Sequence, residues 1–158
     1  MGTVPDIRIR EMEAGDLDGV LSIERASFPT PWSRRLFEEE IAREFSDALV
    51  AVPAEGKGIL GYAVCWTVAE ESHLLNIAVH PDARGRKVGT ALLKECIRRG
   101  ARAGAGRIHL EVRAGNGPAL RLYGREGFSF QGIRRGYYTD TGEDAILLSR
   151  DLRRSDVA

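Results

Sequence analysis

Alternation of apolar and polar positions marks a strand near Ile7 to Met12, and a stripe of period 3.6 then begins after Asp16, with Leu17, Val20, Leu21 and Phe28 on its inner side. A second helix, capped by Ser33, turns Leu36, Phe37 and Ile41 inward. Ala48 to Val52 and Ile59 to Val68 flank the turn Glu55–Gly58 and predict a hairpin. The residues Glu70, Glu71 and Ser72 then turn the chain into a strand from His73 to Val79, whose Leu75, Ile77 and Val79 share one face. After Gly89 the spacing predicts a helix with Leu92, Leu93, Cys96 and Ile97 on its apolar side, ending in the run GARAGAG. A strand from Arg107 to Val112 follows. The last helix opens at Asn116 with Pro118 in its first turn and stops at Gly127, before strands near Phe128 to Ile133 and Asp144 to Leu152.

One helix separates the strands ending at Val79 and beginning at Arg107, so these two should run parallel through a right-handed crossover. The fold class is therefore α/β, of the α+β kind, with a mixed, mostly antiparallel central sheet of about seven strands and helices on both faces. With 158 residues, 43% of them hydrophobic and 29% charged, the chain can bury one sizeable core. The expectation is a single domain over residues 1–158, its core spanning about 7–152, with a frayed tail over 153–158.

Lysine plus arginine number 23 and aspartate plus glutamate 23, so no overall charge draws the chain to nucleic acid or an anionic membrane. Charge is local instead: the stretch from Arg84 to Arg107 is basic against the single acid Glu95, and Glu38, Glu39, Glu40 and Glu44 make the second helix acidic. Two cysteines, Cys65 and Cys96, both in apolar patterns, give no disulfide framework or zinc cluster, and no metal is expected. MGTVPD has no apolar signal core and misses the myristoylation pattern at Asp6, which predicts cytoplasmic residence.

The segment LNIAVHPDARGRKVGTALL, from Leu75 to Leu93, is strand, basic turn and amphipathic helix in succession. Amides at the start of that helix lack intrahelical partners and can receive phosphate oxygens, while Arg84, Arg86 and Lys87 supply charge and Gly85 and Gly89 leave room for close backbone approach. A diphosphate would suit the turn; a solvated basic loop accounts for it equally well. The P-loop pattern and the dinucleotide fingerprint are both absent. A second block, IHLEVRAGNGPALRLYGREGF from Ile108 to Phe128, puts Ile108, Leu110 and Val112 on one strand face and His109, Glu111 and Arg113 on the other. Glu111 is then either solvated or facing a cleft, and Tyr123, a turn after Ala119 and Leu120, reads by itself as a core tyrosine bonded to some carbonyl.

Together the two blocks resemble the GNAT family of N-acetyltransferases, whose pattern Arg/Gln-x-x-Gly-x-Gly/Ala falls on Arg84 to Gly89, with Lys87 standing at the first motif glycine. PWS at Pro31–Ser33, NIAV at Asn76–Val79, LEVRAGN at Leu110–Asn116, LYGREGF at Leu122–Phe128, IRRGYY and EDAI narrow the resemblance to RimI-like protein N-terminal acetyltransferases. The resemblance implies a GNAT-type fold with its parallel pair splayed at a cofactor cleft. Acetyl-coenzyme A is the implied co-substrate: Arg84 to Thr90 would cradle its pyrophosphate, Ile77, Ala78 and Val79 would bond its acetyl carbonyl and pantetheine arm through backbone, and Asn116 would touch it, though helix capping explains Asn116 as well. Glu111 is the implied general base and Tyr123 the general acid.

Trp32, Tyr137 and Tyr138 are implied to wall the peptide entrance, although the tyrosine pair alone could as well be hairpin packing. The implied acceptor is a protein N-terminus beginning with a small residue such as alanine, plausibly a small-subunit ribosomal protein, and the enzyme a monomer or weak dimer. Neither block holds a cysteine, so the acetyl group should pass directly to the amine. An α-amine, of pKa about 7.8, is about 14% neutral at pH 7 and a lysine only about 0.04%, a gap of about 3.5 kcal/mol, so one ordinary carboxylate suffices for an N-terminus. Lysine, polyamine or drug amines are the first rival acceptors, and a non-catalytic coenzyme-binding or interaction module is the second.

Overall fold

The computed structural model describes residues 6–158, so of the N-terminal MGTVPD only Asp6 lies within it. Strand β1 (Ile7–Glu11) leads through a 3-10 turn (Ala14–Asp16) into α1 (Leu17–Ser27) and α2 (Arg34–Ala42). Strands β2 (Ser46–Pro53), β3 (Gly61–Val68) and β4 (Glu71–Val79) follow as an antiparallel meander. Helix α3 (Val88–Arg102) crosses to β5 (Arg107–Arg113), and α4 (Gly117–Arg125) precedes the hairpin of β6 (Ser129–Tyr138) and β7 (Glu143–Asp151). The seven strands form one sheet in the order β1-β2-β3-β4-β5-β7-β6, and β4 with β5 is its parallel pair, as the crossover requires.

Two apolar layers hold the sheet. Leu49, Cys65, Leu92, Leu93, Cys96 and Ile108 pack beneath α3 and α4, while Val20, Ile23, Phe37, Val50, Tyr62 and Val64 pack beneath α1 and α2. Among the described residues no helix is long and apolar enough to cross a membrane.

The parallel pair supplies the opening in this sheet. Only Glu71↔Arg107, Ser72↔Ile108 and His73↔His109 are in register, and beyond them β4 and β5 part. Because β3 still pairs with β4 as far as Val79, one edge of β4 is satisfied while the other runs free along the gap.

Several sequence expectations change. Leu75, Ile77 and Val79 do not share a face: register jumps from Cys65↔Leu74 to Val64↔Asn76, so Leu75 is the extra residue of a bulge. It packs with the α1 layer, and Ile77 and Val79 with the α3 layer. Leu36 is exposed, and the inner side of α2 carries Phe37 and Glu40 instead. The β3–β4 turn is shorter than Glu70–Ser72, because Ala69 takes a left-handed conformation (φ 56°) and Glu71 and Ser72 enter the strand. Asp16 stands at the start of α1 as expected, and its carboxylate, rather than bonding an amide of that helix, accepts from Arg10 (2.8 Å) and from the Glu13 amide (2.8 Å). The tail is folded: Arg154–Val157 form a 3-10 turn, Arg150 pairs with Asp156 (3.0 Å), and Arg98 and Arg102 of α3 donate to the carbonyls of Ala158 and Val157 (both 3.0 Å).

Candidate active site

The gap between β4 and β5 opens into a cleft of about 1070 Å³ that runs from the start of α3, past β5 and α4, to the β6–β7 turn. It gathers nearly every residue singled out in the sequence: Ile77, Ala78 and Val79; Arg84, Gly85 and Lys87 to Thr90; Glu111, Asn116 and Tyr123; and Trp32, Tyr137 and Tyr138. Arg86 is the exception. It lines a separate hollow of about 380 Å³ with Lys57, His80 and Asp82.

At the α3 end, Gly85 (φ 80°) and Lys87 (φ 62°) both adopt the left-handed conformation, which bends the chain so that the amides opening α3 face the cleft. Those amides and the helix dipole favour an anion, and Arg84 and Lys87 add positive charge at the same mouth. Asn116 caps α4 by accepting from the Ala119 amide (3.2 Å), so its place on the cleft wall follows from helix initiation.

Glu111 lies two residues beyond the last position at which β5 pairs with β4, where strand alternation turns it away from the α3 core into the gap. Its Oε2 sits 2.6 Å from Nε2 of His73, and both side chains are partly buried. The bond from His73 holds the Glu111 carboxyl below its ordinary pKa, outweighing the burial that pushes it up, with His109 and Arg134 adding positive potential. Oε1 has no protein donor among the described residues and remains open to a guest.

Tyr123 is 4% exposed and packs against Phe128. Burial raises its pKa far above the ordinary value, so it is a neutral phenol at every physiological pH. Tyr123 is a core tyrosine, buried in the layer beneath α3, but among the described residues no acceptor takes its hydroxyl, and the side chain also lines the cleft. Tyr138, pushed up to about 12 by burial, lies under the Arg113 guanidinium (4.1 Å) and edge-on to Tyr137 (5.1 Å).

Two polar assemblies escaped sequence reasoning. Glu24 is 1% exposed and accepts from the Tyr62 hydroxyl, from Asn76 Nδ2 (2.8 Å) and from the Trp32 amide (2.9 Å), tying α1, β3, β4 and the loop before α2 into one wall. Its signal was present, because Glu24 falls on the apolar stripe of α1 that carries Leu17, Val20, Leu21 and Phe28. Across the cleft mouth, Asp140 in the β6–β7 turn accepts from Thr30 Oγ1 (2.8 Å) and from both terminal nitrogens of Arg113 (3.0 and 2.8 Å). These bonds hold the Asp140 carboxyl down to about 2. No local pattern announces that latch, since Thr30 and Asp140 lie 110 positions apart.

This frame and cleft define a class, and comparison with known proteins agrees on which. The description of the acetyltransferase (GNAT) family matches residues 17–128, and the chain belongs to that family of acetyl-transferring enzymes. It is 35% identical over 143 residues to the ribosomal protein bS18-alanine N-acetyltransferase of Escherichia coli, covering 89% of this chain and 95% of that protein. It is 31% identical over 160 residues to an N-alpha-acetyltransferase of Sulfurisphaera tokodaii, covering 93% and 94%. The crystal structure of the ribosomal-protein-S18-alanine N-acetyltransferase from Escherichia coli superposes with a TM-score of 0.83 at 33% identity, covering 93% of this chain and 94% of that one.

Proposed function

We propose that the chain, acting as one domain, moves the acetyl group of acetyl-coenzyme A onto the N-terminal α-amine of a protein. The acceptor that best fits is a ribosomal protein beginning with alanine, by analogy with the bS18-alanine relatives. One observation carries this reading: the free edge of β4 and the open oxygen of Glu111 face each other across the gap that β5 leaves.

The residues at hand fit the co-substrate. Unpaired amides opening α3, with Arg84 and Lys87, can hold a diphosphate, and the unpaired edge of β4 from Ile77 to Val79 offers amides to a carbonyl oxygen as it gains charge. The ammonium of the acceptor gives a proton to Glu111 Oε1, directly or through water, and the freed nitrogen attacks the thioester carbonyl. Tyr123 gives its hydroxyl proton to the sulfur as the C–S bond breaks, and the second proton, which the nitrogen sheds on becoming an amide, returns to the Tyr123 oxygen directly or through water. Both cysteines are buried outside the cleft lining, consistent with attack in a ternary complex and without an acyl-enzyme. Trp32, Tyr137 and Tyr138 wall the acceptor's approach.

The test is intact-mass measurement of two peptides after incubation with acetyl-coenzyme A. One starts with a free alanine and has no lysine; the other has a blocked N-terminus and one lysine. A gain of about 42 Da, the mass of an acetyl group replacing hydrogen, is expected on the first; gain on the second alone overturns the reading.

A further inference from the structure

His73 and His109 close the parallel pair, and Glu111 stands at the first open position on their side of the sheet. His73 reaches Glu111 from the closed end of the wedge and is itself no part of the cleft wall, whereas Glu111 is. The His109 ring lies against the His73 ring (centroids 4.5 Å, 37° between planes), which limits the freedom of the imidazole. An ionised carboxylate only accepts, so the 2.6 Å contact requires a proton on Nε2 of His73; a neutral His73 then carries its lone pair on Nδ1, away from Glu111.

We propose that His73 is a positioning residue for Glu111 whose protonation state gates the base: neutral, it fixes Oε2 and leaves Oε1 free for the acceptor; cationic, it disables the carboxylate. The inference rests on the reading of Glu111 as the base. When Nδ1 takes a proton, a full positive charge stands at hydrogen-bond distance from the carboxylate, and a carboxylate so paired gives up its affinity for the ammonium's proton. Below the imidazole range the enzyme then holds its substrates without deprotonating the amine. The other charged and titratable groups facing the dyad are Glu71 and Arg107 at the closed end, Arg134 and Tyr138 from β6, and Glu40 and Arg43 of α2, which reach Trp66, the cross-strand partner of His73. The other imidazole beside the dyad is His109, whose pKa burial lowers.

The test follows kcat against pH for the natural chain and for His73→Gln, with an alanine-starting peptide and acetyl-coenzyme A both saturating. Glutamine can still donate to Glu111 but does not titrate. The peptide amine titrates alike in both proteins, so the ratio of variant to natural rate isolates the imidazole. That ratio is expected to be flat at the alkaline end and to rise severalfold as pH falls from about 8 to about 5.5, the range in which imidazoles commonly charge. A ratio level across this range overturns the proposal, because a purely structural loss lowers the rate equally at every pH. Nitrogen-15 NMR of the natural protein at about pH 8 adds a measurement that needs neither the variant nor turnover: the Nε2–H tautomer of His73 supports the proposal and the Nδ1–H tautomer overturns it. If the natural chain acetylates neither peptide, the functional reading fails, and the tautomer still tests His73 on its own.

Discussion

Glu24 and Glu111 are two carboxylates that face one cleft from opposite walls, and their surroundings assign them opposite work. Glu24 is sealed: a phenol, a side-chain amide and a backbone amide from three separate elements occupy both of its oxygens. Glu111 has one donor and one open oxygen. A buried carboxylate with both oxygens engaged by protein donors organises structure, because a proton there would compete with the bonds it already accepts. One with a vacant oxygen beside a free strand edge can take a proton from a guest. Carboxylate lining alone therefore does not identify a base; an oxygen left without a protein donor does.

The sharpest way to break this contrast is to neutralise each acid in turn. Glu111→Gln should lower kcat by about 10²–10⁴-fold, the usual worth of a positioned base, and leave the unfolding midpoint and acetyl-coenzyme A affinity nearly unmoved, since glutamine still accepts from His73. Steady-state kinetics beside urea unfolding read both. Glu24→Ala should do the reverse, costing about 3 kcal/mol or more of stability because three buried donors lose their acceptor at once. The urea midpoint should fall with the slope unchanged. Stability lost at Glu111, or kept at Glu24, would erase the distinction.

Tyr123 extends the contrast to the acid. Its hydroxyl is free where that of most core tyrosines is bonded, so Tyr123→Phe should cost little stability and lower kcat by about 10²-fold, at the low end for an acid because a thiolate leaves readily near neutral pH. Asp140 supplies a third kind of carboxylate, one that pairs with a cation. Its folded pKa, about 2, lies below the ordinary value, so its contribution is complete above about pH 4 and is lost as pH falls through about 2. Urea midpoints of the natural chain and Asp140→Asn should differ most at about pH 6, draw together as pH falls below about 4, and meet only below about pH 2; a gap that does not narrow between about pH 4 and 2 would mean Asp140 acts through something other than its charge on Thr30 and Arg113.

Element order was legible in the sequence because it follows from local periodicity: the stripes of α1 and α3 and the alternation of β5 each need only a dozen residues to declare themselves. Register was not. The bulge at Leu75 depends on how β3 lies against β4, and it moved Leu75 to the opposite layer from Ile77. Partners of the site residues were hidden for the same reason, His73 standing 38 positions from Glu111 and Asn76 52 positions from Glu24. Glu24 itself could have been found, since a charged residue on an inward stripe must be satisfied by something.

Lys87 gives the finest distinction, between backbone and charge at the anion end of the cleft. It holds φ 62° at the cap of α3, a conformation that costs an ordinary residue about 1 kcal/mol and glycine almost nothing. Glycine in turn loses more chain entropy on folding, about 0.5–1 kcal/mol, so in Lys87→Gly the two terms offset and the urea midpoint should hardly move. What changes is one positive charge beside the unpaired amides of α3. Calorimetry should therefore show acetyl-coenzyme A bound severalfold more weakly at low salt, with the gap to the natural chain closing as salt rises and screens the lysine. Equal affinity at every salt concentration would assign the anion site to the backbone alone, and tighter binding by the glycine variant would mean that the lysine side chain obstructs the approach of the diphosphate.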